Sequence, residues 1–238
     1  LSYLDLPAIL YLMIKLDGKK SKAEIKHIVI DEAQDYSMLQ FLVLQGLTGC
    51  RSYTVVGDVN QRLVKIDEVP AMLRLEEIYG KFVKRFDLNK SYRSTQQIME
   101  YASKLLDENA IVPFVRKGKY DVEEFEINDK EDLIDTILET LEEYDDENYE
   151  NIAVITKDKD ELQRIAPELK KFTKIMAFDK ADIIYRGGKV IVPSYYAKGL
   201  EFDGVIVVNF DDNTDDLVKY IMATRALHQL KIINYKGK

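Results

Sequence analysis

Hydrophobic positions fall into two blocks, each with short apolar runs separated by stretches of helical spacing. In the first block, His27-Ile28-Val29-Ile30 is an apolar run that stops at Asp31-Glu32. Residues 38–47 carry a helical pattern, and residues 52–56 form a second apolar run that stops at Gly57-Asp58. The second block opens near Arg85. There Phe86-Asp87-Leu88 leads to Ser91-Tyr92-Arg93-Ser94, and the spacing predicts a helix from about residue 95 to 106. Residues 111–127 read as a short hairpin or connecting strand. Leu133, Ile134, Ile137, Leu138 and Leu141 then recur at helical spacing. Strands are predicted at 152–156, 174–178 (a weak one), 190–192, 205–209 and 230–235, with helices at 160–171 and 216–227. Buried strands that alternate with helices indicate an α/β fold with parallel sheets. In such sheets the working residues lie just past the carboxyl ends of strands, where Asp31, Glu32 and Asp58 fall.

Length and composition narrow this picture. The 238 residues suffice for one large domain or two smaller ones, and 46% apolar content with 11 glycines and 5 prolines indicates a folded chain. The chain contains no run of 18 apolar residues and nothing resembling a secretory signal, so a cytoplasmic setting without membrane partners is expected. Cys50, the one cysteine, is expected to be a small buried hydrophobe in a reducing compartment. The first residue is Leu1, which reads as a piece of a longer polypeptide whose N-terminal remainder is a partner. Net charge is −8, but residues 121–150 hold 15 acidic residues and one basic one, Lys130. The remainder carries 33 basic against 27 acidic residues, so it can meet phosphates while the acidic stretch reads as a solvated helix face.

Asp-Glu at a strand end suits phosphoryl chemistry: one carboxylate can hold Mg²⁺ beside nucleotide phosphates, and the next can accept a proton from an attacking water. An acidic loop after a strand is also common, so the pair alone decides nothing. Taken in order with other segments, it says more. Asp31-Glu32-Ala33-Gln34-Asp35 and Val56-Gly57-Asp58-Val59-Asn60-Gln61 resemble motifs II and III of UvrD/Rep-type superfamily 1 helicases. Leu88-Asn89-Lys90-Ser91-Tyr92-Arg93-Ser94-Thr95 resembles motif IV, Ala197-Lys198-Gly199-Leu200-Glu201-Phe202-Asp203 motif V, and Tyr220-Ile221-Met222-Ala223-Thr224-Arg225-Ala226 motif VI.

The resemblance implies the C-terminal part of an ATP-dependent DNA helicase built from two RecA-like parallel-sheet domains. The first (residues 1–84, motifs II and III) would be incomplete, and the second (85–238, motifs IV to VI) whole. It implies ATP and Mg²⁺ as cofactors and single-stranded DNA as the track. By the same resemblance Asp31 is the Mg²⁺ ligand, Glu32 the general base and Gln61 the γ-phosphate sensor. Arg93 and Arg225 reach that phosphate, Tyr92 stacks on adenine, Gly199 allows close backbone approach, and Glu201 contacts the nucleotide or couples its state to the track. Guanidinium groups suit this work because they are planar, permanently charged and bidentate toward phosphate oxygens. Replacing Arg225 by Ala is expected to stop turnover in the parent enzyme with the fold intact.

No Gly-x-x-x-x-Gly-Lys-Ser/Thr loop occurs in the chain, so the fragment alone is expected to be inactive. Gly187-Gly188-Lys189 precedes a strand where a phosphate loop would lead into a helix, and it reads as a turn. Many family members open motif V with Thr-x-His, which touches single-stranded DNA. Pro193 and Tyr195 stand at those positions here, and no large domain fits between residues 95 and 193. Both features, with Asp-Glu-Ala-Gln-Asp-Tyr-Ser, resemble the HelD/helicase IV branch, whose HelD members act on RNA polymerase. The resemblance therefore leaves two partners open, single-stranded DNA and RNA polymerase, with Tyr195 and Lys198 as candidate contacts. His27 and His228 have no metal-ligand company and read as structural.

Overall fold

The computed structural model describes residues 5–18, 24–62, 67–88, 91–106, 116–178, 185–210 and 214–237. Asn89 and Lys90 of the motif IV-like stretch, and residues 111–115 of the expected hairpin, lie outside them. The chain divides into two compact units, Leu1–Asp87 and Leu88–Lys238.

The first unit contains α1 (Leu6–Asp17), β1 (Ile28–Ile30), α2 (Met38–Thr48), β2 (Tyr53–Val55) and the short α3 (Glu76–Tyr79). β1 and β2 pair in parallel, with Ile30 opposite Val55. His27 ties their amino ends together: its Nδ1 lies 2.8 Å from Ser52 Oγ and its Nε2 3.0 Å from Thr54 Oγ1. α2 starts where Ser37 and Gln40 form a reciprocal capping box, and it ends at Gly49 in the left-handed region. Ile30, Ala33, Phe41, Ala71 and Leu75 make the core of this unit. Cys50 is buried, as its composition context suggested.

The second unit contains α4 (Gln96–Ser103), β3 (Glu123–Ile127), α5 (Lys130–Asp146), β4 (Asn151–Thr156), α6 (Lys159–Phe172), β5 (Met176–Ala177), β6 (Gly188–Pro193), α7 (Ser194–Ala197), β7 (Phe202–Asn209), α8 (Asp216–Ala223) and β8 (Ala226–Tyr235). Six strands form one sheet in the order β3-β8-β7-β4-β6-β5, every pairing parallel. The inner strands are buried along nearly their whole length, which is why they read as continuous apolar runs. The α/β parallel-sheet class expected from the sequence is therefore the observed one.

Three local details differ from or refine the expectations. The expected helix over 216–227 stops at Ala223, and Ala226 already belongs to β8. The strand expected within 111–127 is β3, a sheet-edge strand parallel to β8. Of the glycines expected to form a turn, Gly187 sits in a bend at φ +95° and Gly188, at φ +88°, already opens β6; both lie in a region that glycine enters without a Cβ penalty. The acidic stretch supplies α5, capped by Asp129, whose side chain accepts from the N–H groups of Glu131 and Asp132. Its apolar stripe, Leu133, Ile134, Ile137 and Leu141, packs into the core with Tyr144, and its acidic residues form the outer face. Among the described residues no helix is long and apolar enough to cross a membrane.

Candidate functional site

In the first unit, Asp31 and Glu32 follow the carboxyl end of β1, and Gly57-Asp58 follows the carboxyl end of the adjacent β2. Backbone pairing continues past both strands: Val56 N donates to Ile30 O (2.8 Å) and Ala33 N to Val56 O (3.0 Å). Gln34, only 1% exposed, then locks the two loops. Its Nε2 donates to Glu32 Oε2 at 2.6 Å, and its Oε1 accepts from Asp58 N at 3.1 Å. Gly57 leaves room for that bridge, since a Cβ there would sit 2.6 Å from Gln34 Oε1 and 2.9 Å from Met72 Sδ. Glu32 itself adopts φ +52°, ψ +37°, the left-handed region that a non-glycine residue enters only at a cost. That backbone points the Asp-Glu pair off the strand end, with Asp31 Oδ1 accepting from Glu32 N at 2.8 Å. Gln61 is held nearby, its Nε2 donating to Asp58 Oδ2 at 3.0 Å.

Asp31 is exposed, and a single carboxylate of this kind fits Mg²⁺, which is commonly held by one or two carboxylates with waters and substrate phosphates supplying the rest. The donor set fits that mode and no denser one: among the described residues no group of three or more His, Cys, Asp and Glu side chains gathers as a metal site.

In the second unit the three motif-bearing segments meet at the amino ends of β7 and β8, not at carboxyl ends. Arg93 Nη2 pairs with Glu201 Oε1 at 2.7 Å. Ser94 Oγ donates to Ala226 O at 2.7 Å, and Phe202 N to Arg225 O at 3.0 Å. Arg225 Nη1 reaches Leu200 O at 3.4 Å, while Nε donates to Ile221 O at 3.1 Å. The structure thus brings Arg93, Glu201 and Arg225 together. It leaves Arg93 half-exposed, whereas Arg225 is 1% exposed. An Arg225→Ala change would open a buried void and remove a donor from Leu200 O and Ile221 O, so the expectation that it spares the fold is corrected.

Tyr92 is exposed beside Arg93, as a stacking surface would be. Gly199 sits at φ +80° with nothing within 4 Å of a Cβ position, so it is the backbone turn, not crowding, that calls for glycine there. Tyr195 lies in α7, which follows the carboxyl end of β6, and Lys198 comes just after α7, three residues before Glu201. Tyr195, 44% exposed, packs edge-on against Tyr196 with centroids 4.6 Å apart. Sequence reading did not single out Gln34 or Ser94. Both are polar residues whose burial depends on partners distant in sequence.

Residues 4–64 match the UvrD/REP helicase N-terminal domain. A probable DNA helicase II homolog of Mycoplasma capricolum subsp. capricolum is 29% identical over 118 residues, which are 46% of this chain and 16% of that protein; the match thus spans a small part of that relative. The C-terminal domain of a possible DNA helicase from a Lactobacillus (strain WCFS1) shares the fold over 62% of this chain and 89% of that one, at 27% identity and a TM-score of 0.52. The PRRSV helicase overlays at 16% identity and a TM-score of 0.48, over 92% of this chain and 36% of that one. Residues 4–64 are thus similar to the UvrD/REP helicase N-terminal domain, and the chain shares its fold with a helicase domain.

Proposed function

We propose that the protein containing this chain is an ATP-driven superfamily 1 motor that moves on single-stranded DNA. The observation that carries this reading is the convergence of Arg93, Glu201 and Arg225 at one end of the second unit's sheet. Arg225 ties the Leu200 and Ile221 carbonyls from inside, and Arg93, half-exposed and oriented by Glu201, presents a guanidinium at the surface of the same end, as a site that handles phosphate requires.

In this reading the first unit supplies Asp31 to hold Mg²⁺ and Glu32 to take the proton from the attacking water, with Gln61 as the γ-phosphate sensor. Bound Mg²⁺ would neutralise phosphate charge. The second unit supplies Arg93 and Arg225 to stabilise charge on the transferring phosphoryl group, Tyr92 for the adenine, Gly199 for close backbone approach, and Glu201 to contact the nucleotide or couple its state to the track. Arginines in this role are worth on the order of 10³–10⁵ in rate. Gln34 keeps Glu32 in place through its Oε2. Residues 1–84 would belong to the first RecA-like domain and 85–238 to the second.

The test is ATP turnover by the full-length protein. Glu32→Gln and Arg93→Ala are expected to cut kcat by at least about a hundredfold with melting temperature nearly unchanged. Turnover at the wild-type level in both would overturn the assignment. The 238-residue chain alone, which contains no phosphate-binding loop, is expected to hydrolyse ATP hardly at all.

A second reading, a HelD-like ATPase that remodels RNA polymerase, is favoured by Pro193 and Tyr195 where a DNA-contacting Thr-x-His would stand. DNA-stimulated, salt-sensitive turnover supports the DNA motor. Turnover indifferent to DNA but raised by RNA polymerase supports the remodeller.

A further inference from the structure

Among the described residues, few buried polar side-chain atoms go without a hydrogen-bond partner, and the residues that carry two of them, Thr95 (Oγ1) and Arg116 (Nε), both line one cavity of about 270 Å³ in the second unit, the two atoms lying just behind its wall. Thr95 is 3% exposed. It stands at the N-cap of α4, where a threonine hydroxyl normally accepts from a helix N–H, yet its side chain makes no such bond. A buried hydroxyl left unsatisfied is destabilising, so its presence calls for a partner the protein itself does not supply.

The wall opposite Thr95 is built to stay where it is. Gln96 N donates to Arg116 O at 2.7 Å. Gln97 clamps Gly118 on both sides, Nε2 donating to Gly118 O at 3.0 Å and Oε1 accepting from Gly118 N at 2.8 Å. Gly118 must be glycine at this approach, because a Cβ would meet Thr95 Cβ at 2.8 Å. Arg116 is anchored from the other side through Nη2, which donates to Leu227 O. The strap so formed reads Arg116-Lys117-Gly118-Lys119, three cations in four residues. Lys119 is turned toward Glu147, whose carboxylate Tyr120 and Lys119 hold below the usual range, and Lys117 is exposed at the rim. His228, stacked on Tyr149 with centroids 5.7 Å apart, closes the remaining side.

We infer that this cavity is a phosphate-binding site, with Thr95 Oγ–H and Arg116 Nε–H as its buried donors and Lys117 as its mouth charge. Arg116, Lys117 and Lys119 outnumber the Glu147 carboxylate in the lining, and a guanidinium edge with a net positive charge suits a dianionic tetrahedral oxyanion. The inference is independent of the motor reading, since it uses neither Arg93 nor Arg225.

The test follows backbone amide NMR signals of the whole chain as inorganic phosphate is added at constant ionic strength. Saturable shifts at Gly118 and Gln97 are expected, weakened about tenfold or more in Thr95→Val and in Lys117→Ala. Thr95→Val keeps the residue's shape, and Lys117 is exposed, so neither variant is expected to unfold. Absence of saturable shifts, equal affinity in the variants, or a Thr95→Val chain that melts below wild type in phosphate-free buffer would each overturn the site; the last would show that the hydroxyl serves the fold. A thymidine oligonucleotide that displaces phosphate from the same signals identifies a nucleic-acid backbone as the source. If only phosphate or a free nucleotide shifts them, the source is a small ligand.

Discussion

Arg93 and Glu201 lie 108 positions apart in sequence and meet at 2.7 Å, Nη2 to Oε1, at the amino end of β7. Both side chains are substantially exposed, 50% and 39%, so water screens the pair and its stability contribution is small, about 0–1 kcal/mol. Its value lies in aim: the carboxylate fixes a long, flexible guanidinium in one orientation. Glu201→Gln is therefore expected to leave the melting temperature within a degree or two while lowering ATP turnover of the full-length protein. If Glu201 serves turnover by orienting Arg93, adding Arg93→Ala on top should reduce turnover no further than Arg93→Ala alone. A multiplicative loss in the double variant would show that the two side chains work separately.

Gln34 is the residue on which the first unit's two strand-end loops depend. Removing its amide strands Asp58 N and frees Glu32 to leave its left-handed conformation. Gln34→Ala is expected to lower stability by about 1–3 kcal/mol in urea denaturation. Gly57→Ala should act on the same bridge from the other side, since its new Cβ would lie 2.6 Å from Gln34 Oε1. The two substitutions share a partner, so their costs should add to less than their sum. Full additivity would argue against the bridge.

Much of the fold was legible because strands buried on both faces have no polar alternation to blur. β4, β6 and β7 appear in the sequence as unbroken apolar runs and differ from their expected limits by only a few residues. The helix ending at Ala223 was overextended because Ala226 and Leu227 keep apolar spacing across a turn, and only tertiary pairing with Phe202 draws Ala226 into a strand. The site was half legible. Motif order named Arg93, Glu201 and Arg225, but no spacing rule shows that Arg225 is buried against Leu200 O and Ile221 O or that Arg93 turns to Glu201. Gln34 and Thr95 were not legible, because a polar residue's burial is set by segments that fold against it from elsewhere in the chain.

His228 should leave a mark on the pH dependence of stability. Burial, and then the neighbouring Arg116 cation, lower its pKa below 6.5, and Asp203 at 3.8 Å only partly offsets them. The folded chain thus binds this proton less readily than the unfolded one. Its contribution is complete above about pH 6.5 and is lost as pH falls from there through the lowered folded value, below which it no longer changes. Melting temperatures measured from about pH 8 to pH 5 should therefore decline less steeply in His228→Gln than in wild type. Parallel curves would mean that the ring titrates alike in both states.

Lys231 on β8 provides the sharpest energetic contrast. It is 4% exposed, pairs with Glu143 on α5 and lies 3.3 Å from Glu123 on the neighbouring strand. Both carboxylates are about half-exposed, so they can return to water if the lysine goes, whereas the lysine cannot follow them out. Lys231→Met, which keeps the stem's volume and removes the charge, is expected to be neutral or mildly stabilising. The double change Glu123→Gln with Glu143→Gln, which leaves an unpaired ammonium inside, is expected to cost about 3 kcal/mol or more. Urea denaturation of the two variants measures that asymmetry. If Lys231→Met proves the more damaging, the ion pairs themselves, and not the avoidance of a stranded charge, hold β8 to α5.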